Sequence, residues 1–270
     1  MPFTNGEVLH LSFDYNSSGK ITRVSSSGNN SASETIFDIN YSSNGIILSK
    51  PEENSPAITV DDTIMLVVDN NNRVQKRIEL SFTEFKAPTN LPHRTFTYDT
   101  TIYEYDAAGL LKKTSLSRRD STWFNPGSVQ LNIMRKTGTD TYTNVNHNLT
   151  AINSTIDLNA VSHQNGQIYT SKMNTTSVTT FQYTRNFANK MDFNNAAVLN
   201  ELALLTNAPI NPNYANLPDK QSQTYTDTDG SGAVISTHTY DESFGFGYTG
   251  YGFLKSYESS SKKGSFVYNQ

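Results

Sequence analysis

Apolar and polar residues alternate along most of this chain, which is the pattern of β-strands that turn one face to a core. In residues 9–15 the odd positions carry Leu, Leu, Phe and Tyr, whereas the even positions carry His, Ser and Asp. The same period of two dominates from residue 7 to about residue 187. The alternation therefore predicts an all-β protein.

Five segments repeat the pattern apolar-x-Tyr-x-x-x-Gly-x-apolar, with Val and Asn replacing Tyr and Gly in the third copy. The copies are residues 13–23, 39–47, 66–76, 103–113 and 246–256. The residue after the aromatic position is Asn16, Ser42, Asp69, Asp106 or Thr249, and Asn, Ser and Asp favour the first position of a type I turn. Three residues further on, the chain needs a left-handed residue, which Gly and Asn supply at least cost. These predicted turn residues are Gly19, Gly45, Asn72, Gly109 and Gly252.

A type I turn followed by a left-handed residue makes a three-residue β-hairpin with a bulge. That register predicts five cross-strand pairs. They are Tyr15 with Ile21, Tyr41 with Ile47, Val68 with Val74, Tyr105 with Leu111, and Tyr248 with Leu254. Further hairpin turns are predicted at Thr137-Gly138, Asn165-Gly166 and Asp229-Gly230.

One segment departs from the period of two. In residues 195–206, Val198, Leu199, Leu202 and Leu205 fall on one stripe of a helix, and a loop rich in Pro and Asn follows at 207–220. The prediction is a single all-β domain over residues 1–270, with this helix and loop inserted before the final hairpins. Its fold would be a large curved antiparallel meander, barrel-like or half-barrel, of about 14–18 strands.

Composition narrows the classes of function. Ser, Thr and Asn supply 92 of the 270 residues, whereas only 35% are hydrophobic, which fits a thin core and much solvated sheet. The absence of Cys excludes disulfides, Cys-ligated zinc and a thiol nucleophile. A net charge of −4 gives no reason to expect nucleic acid as a partner. This composition is common among bacterial envelope proteins.

The hairpins resemble the tyrosine–aspartate repeats of large bacterial surface toxins and shells, with the best match at residues 103–111. The chain resembles more closely an uncharacterised family of Bacteroidota secreted lipoproteins. The shared parts are the Tyr-Gly hairpins, the 195–206 helix, Asn211-Pro212, residues 216–218, and the final hairpin of residues 239–256. The resemblance implies a porin-like curved sheet and assigns no activity and no catalytic residue.

The same resemblance leads us to expect an exported monomer in the periplasm or at the cell surface. Its contact with the membrane would be made only through a lipid anchor, and the Cys that carries such an anchor is absent from this sequence. The expected partner is a glycan or another envelope protein.

No motif predicts catalysis or a cofactor. Asp227 and Asp229 begin a sequence like the first half of a calcium loop, but His238 stands where that loop needs Glu, so a hairpin turn is favoured and no metal site is predicted. Serine-nucleophile and phosphate-binding motifs are absent. Asp61 and Asp62 are adjacent, so in a strand they point to opposite faces.

The candidate binding residues are aromatic. Trp123, the only Trp, lies beside Phe124 in a predicted loop, where the pair would anchor a ligand or plug the sheet end. Tyr248 and Tyr251 lie in a run that alternates aromatic residues with Gly, which would form a binding platform or simply the last hairpin. The alternative functions are a carrier of an apolar ligand, an outer-membrane barrel and a glycan hydrolase. Charges at Asp62, Lys76 and Glu104 argue against the first two.

Overall fold

A computed structural model describes residues 9–27, 34–43, 45–55, 57–71, 73–86, 93–124, 130–164, 166–184, 187–188, 197–198, 216–248, 254–259 and 263–268. Within them the chain forms eighteen strands, which confirms the all-β prediction. They are β1 Leu9–Tyr15, β2 Ile21–Ser27, β3 Glu34–Ser42, β4 Gly45–Ser49, β5 Glu53–Asn54, β6 Ile58–Val68, β7 Val74–Phe85, β8 His93–Tyr105, β9 Leu111–Phe124, β10 Gln130–Val145, β11 Asn148–Gln164, β12 Gln167–Gln182, β13 Phe187–Ala188, β14 Asn216–Leu217, β15 Lys220–Asp229, β16 Val234–Tyr248, β17 Leu254–Ser259 and β18 Lys263–Tyr268.

Sixteen of these strands form one sheet, and β13 pairs separately with β14. The order is β4-β3-β2-β1-β18-β17-β16-β15-β12-β11-β10-β9-β8-β7-β6-β5. β4, the first strand of this order, also pairs with β6, the last but one. The sheet is therefore the large curved meander that the sequence predicts. One pairing differs from the prediction, because β1 and β18 run parallel whereas every other described pair is antiparallel.

Four of the five predicted hairpin registers are confirmed. Tyr15 pairs with Ile21, Val68 with Val74, Tyr105 with Leu111, and Tyr248 with Leu254, and each register shifts at the aromatic position as a bulge requires. Gly19 and Gly109 have φ of 74° and 81°. The amide of each donates to the backbone carbonyl of the residue that opens its turn.

The second hairpin was predicted in the wrong register. Tyr41 pairs with Ile46 rather than Ile47, and Gly45 pairs with Ser42 inside the strands, so the turn is one residue shorter. The physical reason is the seam between β4 and β6, where a side chain on Gly45 would overlap the backbone carbonyl of Leu66. Glycine is needed here for close approach of two strands rather than for a turn.

The predicted turn at Thr137-Gly138 is also wrong, since both residues lie inside β10 and Gly138 pairs with Ile156. The chain turns instead at Asn146 and His147, which both have positive φ. The hairpin at Asp229-Gly230 is confirmed by the pair Thr228–Val234. The pair Gln164–Gln167 confirms that β11 and β12 form the next predicted hairpin, although Asn165 itself lies outside the described residues.

The core fills one end of the sheet. Its members lie next to the tyrosine hairpins. We call this end of the strands the hairpin end. They include Phe13, Ile21, Val24, Phe37, Leu48, Leu66, Val74 and Tyr257. The sheet face that carries this core is the inner face, and the opposite face is the outer face.

Only two residues of the predicted helix are described. Ala197 and Val198 are helical and buried in the same core, while the rest of 195–206 lies outside the described residues. In the predicted loop 207–220, Leu217 is buried in that core and Lys220 already begins β15. Among the described residues, no helix is long and apolar enough to span a lipid bilayer.

Candidate functional site

Beyond the core, the inner face becomes polar. We call this part the inner wall, and it comprises the inward residues of β7–β12, β15 and β16 on the side away from the hairpin end. Its residues include Thr97, Asp99, Arg118, Asp120, Asn132, Lys136, Asp140, Ser154, Ser162, Tyr169, Thr175, Tyr225, Asp227, Ser236, His238 and Tyr240. The period of two fixes this set once one residue of each strand is placed.

Carboxylates on the inner face are held by hydroxyls from neighbouring strands. Thr97 donates to Asp120 over 2.6 Å across β8 and β9. Asp140 accepts from Thr114 on one side, at 2.9 Å, and from Ser154 on the other, at 2.6 Å. In each case donor and acceptor occupy directly paired positions in the sheet.

The same arrangement recurs around the sheet. Asp227 accepts from its paired neighbours Thr175, at 2.6 Å, and Ser236, at 3.0 Å, and these bonds lower the pKa of its carboxyl group. Ser81 donates to Asp62 at the edge of the core. Ser and Thr residues on paired strands thus orient these inward carboxylates and leave each one a fixed hydrogen-bond acceptor.

The inner wall contains a cleft of about 400 Å³ on β9–β12. Its inward lining includes Asp120, Asn132, Ser162, Tyr169 and Ser171. Ser162 donates to the paired Asn132 over 2.6 Å. This volume falls within the range of small-ligand sites, and the lining combines those polar groups with the apolar side chains of Met134 and Ala160.

Exposed tyrosines lie on the same face. Tyr169 is 58% exposed at the cleft, and Tyr240 is 55% exposed on β16. The rings of Tyr225 and Tyr240 stack with centroids 5.6 Å apart, and their hydroxyls lie 3.1 Å from each other. His238 lies 5.1 Å from the Tyr225 ring. These rings form an aromatic platform that neighbours Asp227.

Four charged residues lie side by side on successive strands of the inner wall. Glu79, Asp99, Arg118 and Lys136 are paired in turn across β7, β8, β9 and β10. Arg118 binds both oxygens of Asp120, at 3.0 and 2.9 Å. Asp99 is 6% exposed, and its Oδ1 has no hydrogen-bond partner among the described residues. Burial, followed by the charge of Glu79, raises the pKa of Asp99 against the opposing charge of Arg77.

Trp123 and Phe124 lie in strand β9 rather than in the predicted loop, so they point to opposite faces. Trp123 is 44% exposed on the outer face and meets Phe96 edge-on, with ring centroids 5.6 Å apart. Phe124 is half-buried on the inner face beside His93. Their adjacency in sequence therefore does not make one binding surface.

The remaining predicted residues belong to hairpins. Tyr248 is half-buried against the core, and its hydroxyl has no partner among the described residues. Gly19, Gly45 and Gly109 have positive φ. Tyr251, Asn72 and Gly252 lie outside the described residues.

The two aspartates of the calcium-like sequence serve different structural roles. Asp229 accepts from the amides of Ser231, at 2.8 Å, and Ala233, at 3.0 Å, and thereby forms the hairpin turn that the sequence predicts. Asp227 lies on the inner wall between two hydroxyls. In the described part of the chain, no three His, Cys, Asp or Glu side chains gather as a metal site would require.

Sequence reasoning missed the inner wall. Its signal is present in the strands, where charged residues and hydroxyls alternate in place of apolar ones, as in Arg77-x-Glu79-x-Ser81 and Arg118-x-Asp120-x-Thr122. Those alternations place the groups on one face, but only the pairing of eight strands places them beside one another.

No protein-family model matches the chain, and no curated protein matches it. Among solved structures, the chain is similar to a porin-like protein from Bacteroides vulgatus, with 12% sequence identity and a TM-score of 0.46. That similarity covers 92% of this chain and 87% of the other. No function is transferred from it, and both family resemblances of the sequence stay predictions.

Proposed function

We propose that this protein is a non-enzymatic binding protein of the bacterial cell envelope that holds a glycan against its inner wall. The observation that carries the proposal is the combination of oriented carboxylates and exposed tyrosines on one concave face. Sugars offer many hydroxyls to such acceptors, and their apolar ring faces stack on aromatic side chains. Asp120 and Tyr169 present both chemistries in the same cleft.

The inner wall favours this function over the carriage of an apolar ligand. A carrier needs an apolar, unfilled interior. Here the core fills one end of the inner face. The rest carries Asp120, Asp140, Asp227 and their hydroxyl partners among inward apolar residues such as Met134. An apolar ligand in that place would remove hydrogen bonds with water from these groups without replacing them.

Isothermal titration calorimetry tests the proposal once a glycan array has identified a ligand. Tyr169 and Ile168 are neighbours on opposite faces of β12 with similar exposure, 58% and 64%. We expect Tyr169→Ala to weaken glycan binding by at least about tenfold and Ile168→Ala to change it by less than about twofold. Absence of any glycan ligand, or equal effects of the two substitutions, would overturn the proposal.

The outer face supports a second function, contact with another envelope protein. Leu80, Phe96, Tyr98, Ile102 and Trp123 are all roughly half exposed on the outer faces of β7–β9. Exposed apolar surface of this kind is typical of protein interfaces. A photo-crosslinking residue at Phe96, expressed in the native host, should capture a partner that the same residue at outward Thr139 does not. Fractionation of the same cells tests the envelope location, because the protein should be found in the envelope fraction.

A further inference from the structure

The buried carboxyl group of Asp99 is the least satisfied charged group on the inner wall. It is 6% exposed, and its Oδ1 has no hydrogen-bond partner among the described residues. Its position on β8 faces inward, between Thr97 and Thr101. Buried polar atoms in native proteins are nearly always bonded. An unbonded one beside Arg118, whose partner Asp120 lines the cleft, therefore marks a place for a hydrogen-bond donor from outside the chain.

The two arginines near Asp99 are engaged by other carboxylates. Arg118 binds both oxygens of Asp120, and Arg77 lies 2.9 Å from the Glu79 carboxylate. Both guanidiniums still act on Asp99 through their charge. The donor that completes Asp99 must therefore enter a site where positive charge is already concentrated.

Lys136 completes the site on the other side of Arg118. Asp99 pairs with Arg118 and Arg118 pairs with Lys136, so the three side chains point to the same face on successive strands. The backbones of Asp99 and Lys136 are about 10 Å apart, two strand spacings. Lys136 is half-buried, and its charge acts on Asp99.

Charge decides which ligand group suits this place. An ammonium would satisfy Asp99 but would face Arg77, Arg118 and Lys136. A carboxylate would satisfy Lys136 but would face Glu79, Asp99 and Asp120. A pair of neutral hydroxyls would donate to Asp99 and accept from Lys136, and it would repel neither the cations nor the carboxylates.

We propose that Asp99 and Lys136 form a deep subsite of the inner wall that selects neutral sugar rings over amino sugars and uronic acids. This selection rests on the proposed binding of glycans by the inner wall. It adds a substrate class to that function, because it states which charge state of the sugar the protein accepts.

Three sets of matched monosaccharides test the subsite. The sets are glucose, galactose and mannose, each with its 2-amino and uronic acid form, and binding is measured by calorimetry and by saturation-transfer NMR near pH 7. In any set that binds, we expect the neutral sugar to bind at least about tenfold more tightly than either charged form. The amino sugar would lose the hydrogen bond from Lys136, and the uronic acid would lose the hydrogen bond to Asp99.

Two charge-removing variants make the prediction specific. Asp99→Asn should narrow the preference for the neutral sugar over the uronic acid, and Lys136→Met should narrow its preference over the amino sugar, each by about fivefold or more. Lys172→Met, on the outer face of β12, should change neither ratio. Circular dichroism checks folding, and Lys136→Met keeps the test valid if Asp99→Asn does not fold.

The outcomes separate the two proposals. If no sugar binds the unmodified protein, both the glycan function and the subsite fail. If sugars bind, but a charged form binds as tightly as the neutral one or the two variants leave the ratios unchanged, the subsite is wrong and the glycan function stands.

Discussion

The hydroxyl of Tyr105 donates a 2.7 Å hydrogen bond to the backbone carbonyl of Val74, the first residue of the neighbouring strand β7. Tyr41 makes the same bond to Ile21 at 3.0 Å, and Tyr183 makes it to Leu149 at 2.6 Å. In each case a tyrosine at the end of one strand, or just beyond it, binds the start of the adjacent strand. The recurring tyrosine therefore links successive hairpins as well as packing on the core.

Removal of one hydroxyl group tests this link. Tyr105→Phe leaves the Val74 carbonyl without its partner, so we expect a loss of about 1 kcal/mol in the free energy of unfolding, measured with urea. Tyr248→Phe is the matched control, because that hydroxyl is buried without a partner among the described residues. Its removal should be neutral or slightly stabilising. Equal losses in the two variants would contradict the role given to the hydrogen bond.

The sequence predicts the hairpins well because each turn is determined by a few consecutive residues. Asn16, Asp69, Asp106 and Asp229 all accept hydrogen bonds from the amides two and four residues ahead. Local chemistry of this kind is visible in the sequence.

Features that depend on distant pairing are not visible there. The register at Tyr41 depends on the approach of Leu66 to Gly45, and the parallel contact of β1 with β18 joins opposite ends of the described chain. The inner wall depends on pairings between strands that are up to 52 residues apart, as between Thr175 and Asp227. The sequence shows the residues of the candidate site but does not predict that they lie side by side.

Gly45 should be the least replaceable of the predicted turn glycines. Its φ is 148°, and a Cβ there would overlap the Leu66 carbonyl oxygen in the β4–β6 seam. We expect Gly45→Ala to cost more than about 3 kcal/mol or to prevent folding. Gly19→Ala meets no atom within 4 Å and should cost only about 1–2 kcal/mol, owing to its φ of 74°. Thermal unfolding of both variants measures the difference in stability. Similar losses of stability would contradict the close contact between Gly45 and Leu66.

The carboxylate that opens a hairpin acts as a hydrogen-bond acceptor. Asp106 binds the amides of Ala108, at 2.9 Å, and Leu110, at 2.8 Å. We expect Asp106→Ala to lower the free energy of unfolding by about 1–2 kcal/mol. Asp106→Asn should retain most of the stability, since Asn16 makes the same two bonds in the first hairpin. An asparagine variant as unstable as the alanine variant would show that charge, not the acceptor, matters here.

The pH dependence of stability should differ in sign between two aspartates of the inner wall. Burial raises the pKa of Asp99 above its ordinary value of 3.8, so its ionised form is disfavoured in the folded state. Its contribution is therefore most favourable below 3.8 and is lost as the pH rises through the raised value. Asp99→Asn should raise the melting temperature near pH 7, and this gain should shrink toward about pH 3.

Asp227 provides the control. Hydrogen bonds from Thr175 and Ser236 lower the pKa of Asp227, so its contribution is present above the ordinary value of 3.8 and is lost as the pH falls through the lowered one. Asp227→Asn should therefore lower the melting temperature near pH 7 and have little effect near pH 2. The same sign of effect in both variants near neutral pH would contradict this assignment.

The position of a bound glycan tests the central claim most directly. Intermolecular NOEs from the protons of a bound oligosaccharide should reach the ring protons of Tyr169, Tyr225 and Tyr240 on the inner face. They should not reach Phe96 or Trp123 on the outer face. NOEs to Trp123 and Phe96 without NOEs to the inward tyrosines would place the binding surface on the outer face and contradict the account.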